Sequence, residues 1–275
     1  MISFLSLEVK QAIAIVPYYY FPKIEVLKEQ SEIIGNNAYQ LLYFGQYKEA
    51  LNLAKLAVKI NKKNEKLWLI LSETQLANKL YSEALISLDK AEEINSNRSE
   101  IYFTRSNIYL EISKLKNAKI AIQNGLKIDP NNHIANFQLG NILLMEKNYS
   151  TAIKQFDKSI KIKKNFWQAI NNQGLAYYEQ NQIELSIKHF EKAISIQENA
   201  EPLLGLATCL RKKNSKLALQ LAKKALSKDP NYVNYDYREK QLWGEKLQTS
   251  TEILLQDNQL KEDIKLAKSK INASS

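Results

Sequence analysis

The sequence repeats with a period of 34 residues. Ala50, Ala84, Ala118 and Ala152 stand 34 apart, and Ser186 takes the next step. A second series of small residues keeps that spacing: Ala57, Ala91, Gly125, Ser159 and Ala193. A third series is large: Tyr47, Tyr81, Leu115, Tyr149 and Ile183. Three series in phase at one period mark a stack of like units. A unit this short cannot bury a core of its own, so each must pack on its neighbours.

Inside a unit the apolar period is helical. Phe137, Leu139, Leu143 and Leu144 recur at helical spacing around Gly140, a polar break follows at 146–148, and Ala152, Ile153, Phe156 and Ile160 share one face of a second helix. Asp129-Pro130-Asn131-Asn132 is the clearest stop, because proline lacks the N–H and restricts the residue before it. Each unit reads as helix A, tight turn, helix B, loop. Only 7 Gly and 5 Pro among 275 residues also favour long helices over turn-rich sheets. The small residues have a steric purpose: where helices A and B cross, a large side chain would push the axes apart.

These residues resemble the tetratricopeptide-repeat (TPR) family, whose pattern is a large residue, Leu-Gly, Tyr, Ala, Phe, Ala and Pro at fixed places. Trp68, Ala84 and Ala91 match in 65–98; Tyr102, Tyr109, Ala118 and Pro130 in 99–132. Leu139, Gly140, Ala152 and Phe156 match in 133–166; Gly174, Tyr177, Phe190 and Ala193 in 167–199. The first unit, 31–64, keeps Ala50 and Ala57, and the sixth, 200–231, keeps Gly205, Ala218, Ala225 and Pro230. Ser186 to Ala218 is 32 residues, which predicts a shortened hairpin turn in the sixth. The resemblance implies an all-α, right-handed superhelical solenoid of helix-turn-helix repeats over 31–231, and says little about function.

Solenoid ends need covers. Tyr235–Gln256 reads as one long capping helix, with Leu242, Trp243, Leu247 and Leu254 against the sixth repeat and a polar tail at 258–275 that frays. Arg238–Leu247 (REKQLWGEKL) is similar to the closing segment of a group of cyanobacterial TPR proteins, which implies a photosynthetic host. Residues 1–30 form an arm or cap leading into the first helix, which is expected to start near Lys23. Within 1–22, Ile2, Leu5, Val9, Ile13 and Val16 share a helical face. Three readings stand open for them: a cap on the first repeat, a mobile arm, or a helix lying on a membrane.

No catalytic, phosphate-binding or metal-binding motif occurs, and the carboxylates lie scattered at ordinary i,i+4 spacing. His133 and His189 read as incidental and Cys209 as a buried, inert thiol. Residues 232–275 are too few for a catalytic domain of usual size. No enzyme, cofactor or metal is expected, and no apolar run is long enough for a spanning helix; the expectation is a cytoplasmic monomer.

In the TPR family helix A lines the concave wall, with places 2, 5, 6, 9, 12 and 13 of a repeat directed inward. The resemblance therefore puts Asn36, Tyr39, Phe103, Asn107, Phe137, Gln138, Asn141, Asn171 and Asn172 in a peptide-binding groove. Amides carry a donor and an acceptor and match a peptide backbone, while Phe103 and Phe137 would anchor apolar side chains. The same Asn residues are abundant throughout the chain, so chance placement is the competing reading. Inward places are nearly free of Lys and Arg, Lys66 excepted, so the carboxylate clamp of chaperone-binding TPR proteins is absent.

The formal charge is +10. Its lysines (Lys154, Lys158, Lys161, Lys163, Lys164, Lys188, Lys192, Lys223 and Lys224) fall on helix B and the loops, the outer wall. That face is either solvated or meets anionic lipid or an acidic partner. The expected function is a scaffold or assembly adaptor for a protein client, with upkeep of a photosynthetic complex as the setting the cyanobacterial resemblance implies. The alternatives are an RNA-binding repeat array, disfavoured by an inner wall without cations, and a peripheral membrane assembly factor using 1–22.

Overall fold

The computed structural model describes residues 23–274, so the readings of residues 1–22 lie outside the described part. Among the described residues there is no strand. Helices α1 (Ile24–Tyr43) and α2 (Tyr47–Ile60) form the first hairpin. The next are α3 (Glu65–Ala77) with α4 (Tyr81–Ile94), and α5 (Ser99–Glu111) with α6 (Leu115–Ile128). Then follow α7 (His133–Met145) with α8 (Tyr149–Ile162), α9 (Trp167–Glu179) with α10 (Ile183–Ile196), and α11 (Ala200–Leu210) with α12 (Ser215–Lys228). Each helix B packs on the next helix A, and successive A helices also touch: α1 on α3, α3 on α5, α7 on α9, α9 on α11. That A-on-A row is the inner wall.

Both small-residue series sit in the crossings. Ala50, Ala84, Ala118, Ala152 and Ser186 are 0% exposed, as are Ala91, Ser159 and Ala193. Where the residue is glycine, an aromatic ring takes the space a Cβ would occupy: Phe103 lies over Gly125, Phe156 over Gly140, and Phe190 between Gly174 and Gly205. The large residue on one helix thus needs the small one on its partner.

The A-to-B turns are built alike. Gly45, Lys79, Ser113, Lys147 and Asn181, one repeat apart, all have positive φ, between 57° and 76°. The amide of each bonds three residues back and the next amide five back, for example Lys147 N–H to Leu144 O and Asn148 N–H to Leu143 O, both 2.8 Å. This is the Schellman closure of a helix, in which glycine costs least. Only Gly45 and Asn181 are residues suited to it.

The sixth hairpin differs from expectation. Its turn, 211–214, is longer than the three-residue turns of its neighbours; the missing residues come from helix A, 11 residues against 13, and from the loop before it.

The C-terminal cap is also not one helix. Residues 230–274 form a 3₁₀ turn (Pro230–Val233), α13 (Tyr235–Lys240), α14 (Glu245–Leu255), a second 3₁₀ turn (Asn258–Leu260) and α15 (Lys261–Ser274). Leu242, with φ 66°, ends α13 by the Schellman pattern and turns the chain. The tail expected to fray is helical: Leu260 and Ala267 are buried, and α15 packs on α12 and the first 3₁₀ turn, over the end of the stack.

At the other end none of the described residues covers the stack. Leu67, Ile101, Ala135 and Ala169 are at most 2% exposed because each meets the preceding hairpin, whereas the equivalent Ile33 is 45% exposed. Asn37 and Gln40 stand where later repeats carry Leu71 and Thr74, so much of this face is polar.

Two substitutions test these packing arguments. Gly140→Ala would force the Phe156 ring aside and is expected to lower unfolding free energy by about 1–3 kcal/mol. Lys147→Gly relieves a left-handed backbone and is expected to raise it by about 1 kcal/mol. Urea denaturation measures both; equal effects of one sign would refute the geometry.

Candidate functional site

The inner wall divides into an open and a closed half. In the open half, Tyr39, Leu42 and Tyr43 of α1 face Glu73 and Leu76 of α3 and Thr104 and Asn107 of α5 around a concavity of ≈ 350 Å³. Tyr39 and Tyr43 are 54% and 82% exposed. Glu73 makes no hydrogen bond or ion pair to a described residue. Burial, helped by the charge of Glu100 and opposed by Arg98, pushes its pKa from 4.5 up to about 7.

Beyond it the amides pair across the A helices. Gln138 Nε2–H donates to Asn107 Oδ1 at 3.1 Å, and Asn172 Nδ2–H donates to Asn141 Oδ1 at 2.8 Å. Asn171 Nδ2–H donates in turn to Asn172 Oδ1 at 3.0 Å. Asn107 and Asn141 therefore spend their oxygens on neighbours and keep their N–H donors for the groove, while Gln138 keeps its oxygen.

The expected set thus scatters. Tyr39 and Asn107 share the concavity; Gln138, Asn141 and Asn172 extend the wall beyond it. Asn36 is exposed on α1, outside that concavity. Phe103 is half-buried, with its ring packed over Gly125. Phe137 is likewise half-buried, its ring 5.9 Å from Phe156 and 5.0 Å from Phe166. Asn171 is 0% exposed. All three occupy place 5, which in this chain turns toward the packing interior. Places 12 and 13 supply Leu42, Tyr43 and Leu76, which reading only places 5, 6 and 9 passed over.

The closed half is filled by the chain itself. Helix α14 lies on α9 and α11, two A helices, rather than on the last B helix. The Glu179 carboxylate, at place 13 of α9, accepts from the first amides of α14: Leu247 N–H at 2.9 Å and Lys246 N–H at 3.3 Å. Lys246 Nζ returns a bond to the Glu179 carbonyl at 2.7 Å. A carboxylate at a helix N-terminus satisfies free amides and favours the dipole. A Cβ on Gly244 would overlap the Glu179 side chain, so only glycine fits at that approach.

Further along, Thr208 and Thr251 hydroxyls bond at 2.8 Å. Trp243, 4% exposed, donates from Nε1 to the Glu201 carboxyl at 3.1 Å. Arg238 is fully buried, giving Nε–H to Gln248 Oε1 at 2.8 Å and Nη1–H to the Tyr232 carbonyl at 2.6 Å, and pairing with Glu252. None of Glu179, Glu201 or Arg238 was singled out from the sequence, because their partners lie outside the repeat.

The groups with reactive potential are held quiet. Cys209 is buried beside Ser186 Oγ at 3.4 Å, and desolvation pushes its thiol up to about 12. His133 stacks edge-on with Phe166, and His189 lies against Tyr177 with Nδ1 2.7 Å from the Leu185 carbonyl. The nine outer lysines are exposed; Lys223 pairs with Asp263 and Lys224 with Glu198, and Lys163 sits over the Phe166 ring. Among the described residues no helix is long and apolar enough to cross a membrane.

Family models described as tetratricopeptide repeat match residues 41–103, 99–132, 121–154 and 168–199, together more than half of the chain. No curated protein sequence matches it. Among solved structures, Pseudomonas aeruginosa pilF has a TM-score of 0.68 at 15% identity, over 78% of this chain and 98% of that one. PilW, a widely conserved type IV pilus biogenesis factor, gives 0.63 at 20% identity, over 80% and 97%. YrrB, a TPR protein with an unusual peptide-binding site, gives 0.52 at 20% identity, over 74% and 100%. At these identities the likeness is one of fold.

The Trp243 contact makes a testable pH dependence. Desolvation raises the Glu201 pKa from 4.5 to about 7, against hydrogen bonds from Trp243, Asn171 and Tyr232. Between those values the folded chain holds a proton that the unfolded chain releases. Its stabilisation is therefore full at acid pH and is lost as pH rises through about 7. The expected loss from this group between pH 4 and 8 is about 3 kcal/mol. Glu201→Gln is expected to flatten that part of the profile; an unchanged slope in chemical denaturation would contradict the assignment. Glu73 acts with the same sign, so the variant is read against wild type.

Proposed function

The chain belongs to the tetratricopeptide-repeat family, and from that premise we propose that it is a non-catalytic scaffold holding a segment of another protein in the open half of its inner groove. The observation that carries the reading is the contrast between the two halves. Where α14 lies on the inner wall, two of the wall's carboxylates are answered by the cap: Glu179 caps a helix and Glu201 accepts from Trp243. The open half offers the same kind of wall, covered by none of the described residues, including exposed Tyr39 and Tyr43 and the spare amide N–H groups of Asn107 and Asn141. A bound segment there would do what α14 does at the other end. Amide donors facing backbone carbonyls give affinity with little regard to side chains, and tyrosine rings add apolar area at small entropic cost.

The neighbours agree in kind: YrrB is a TPR protein with a peptide-binding site, and PilW a biogenesis factor. An assembly adaptor is the form of the function this supports. Care of a photosynthetic complex is the finer setting that REKQLWGEKL suggests. An RNA strand fits less well, since it needs cations along the wall it follows and the unpaired lysines stand on the outer one.

The test is capture of the protein client at physiological and high salt, followed by measured affinity. Tyr43→Ala combined with Asn141→Ala is expected to weaken the client about tenfold or more, with helicity and melting temperature nearly unchanged. A client that the double variant retains, and that high salt removes, would place binding on the basic outer face and sink the groove reading.

A further inference from the structure

We propose that the open half of the groove selects a segment bearing a lysine or arginine, whose cation pairs with Glu73 in the concavity lined by Tyr39 and Tyr43. The inference rests on the groove reading and narrows it to a partner chemistry. Four observations carry it.

First, Glu73 is a carboxylate set into a concavity of ≈ 350 Å³ with no hydrogen bond to a described residue. A half-buried carboxylate without a cation is costly, and elsewhere in this chain such groups are answered. Glu179 accepts two amides, and Glu92 accepts from Arg105 and Tyr102.

Second, the nearby cations are committed elsewhere. Arg98 is 3.1 Å from Glu65 and 3.5 Å from Glu100. Arg105 is turned onto α4, 2.8 Å from Asp89 and 2.6 Å from Glu92. Among the described residues no cation forms an ion pair with Glu73, and Arg98 acts on it only from a distance.

Third, the concavity suits a cation with an apolar stem. Tyr39 and Tyr43 present exposed aromatic surface, which attracts an ammonium or guanidinium, and Leu76 offers a surface for methylenes.

Fourth, the sign of the wall runs against that of the chain. The formal charge is +10, yet the open wall presents Glu73, and Glu111 is exposed at the place in α5 that Tyr43 holds in α1. In the first five repeats Lys66 is the one cation at a place expected to face inward. An acidic strip on a basic protein repels an acidic segment and accepts a basic one at contact.

The experiment selects phage-displayed random short peptides on the full chain. It then measures a selected peptide, and its lysine-to-norleucine analogue, by fluorescence anisotropy against wild type, Glu73→Gln and Tyr39→Ala. Glu73→Gln is nearly isosteric, and a melting curve confirms that each variant folds. The proposal expects enrichment of Lys or Arg and about tenfold weaker binding of the norleucine analogue to wild type. It expects almost no difference between the two peptides on Glu73→Gln, and weaker binding of the lysine peptide to Tyr39→Ala. Peptides that bind, that lose affinity with Asn141→Ala, and that show neither basic enrichment nor sensitivity to Glu73→Gln would overturn the cation and leave the groove. Failure of every peptide to bind, or binding indifferent to all groove variants, would overturn both.

Discussion

Close approach of helix A to helix B sets the rest of the structure. Two small residues per repeat, buried at every crossing, let the axes come together, and the rings of Phe103, Phe156 and Phe190 fill the space beside them. A hairpin packed this way leaves one side of each helix uncovered, so it stacks on the next hairpin and the stack grows in one dimension. The row of A helices is a consequence of that stacking. It presents a long wall whose side chains the packing does not consume, and function is left to those places.

A solenoid of this kind has two ends and one wall to manage, and the chain treats them differently. At the C-terminal end, α15 covers the last B helix while α14 crosses onto the inner wall. Gly244 permits the approach and Glu179 fixes the start of α14, tying residues 67 and 68 positions apart. The buried Arg238 holds α13, α14 and the 3₁₀ turn as one piece. The result is half a groove already satisfied and half exposed, with an acidic, tyrosine-lined concavity in the exposed half. Charge is sorted along with shape: lysines stand on the outer face and Glu73 inside.

The fold was legible because its signal repeats: Ala50, Ala84, Ala118, Ala152 and then Ser186 announce the period five hairpins deep. The turns were legible only in part, since Lys79, Ser113 and Lys147 adopt the left-handed backbone that Gly45 and Asn181 advertise. The tail at 258–275 looked polar because α15 buries a narrow stripe, with Ala267 at its centre. The groove was hardest to read. Register alone put Phe103, Phe137 and Asn171 on the inner wall, but a one-place difference on a helix rotates a side chain by about 100°, and at place 5 Asn171 is buried while the two rings are half-buried against neighbouring helices. The contacts of Glu179, Glu201 and Arg238 depend on a chain reversal at Leu242 that no periodicity encodes.

Helix α14 is a fixed part of the inner wall, and the described residues leave the groove uncovered only over the first repeats. Native-state amide hydrogen exchange tests this directly. The amides of α14, Leu247 foremost, are expected to be protected as strongly as those of α9 and α11 and to open with them as one cooperative unit. Rapid exchange across α14 while α9 and α11 stay protected would contradict it, since the closed half would then be open.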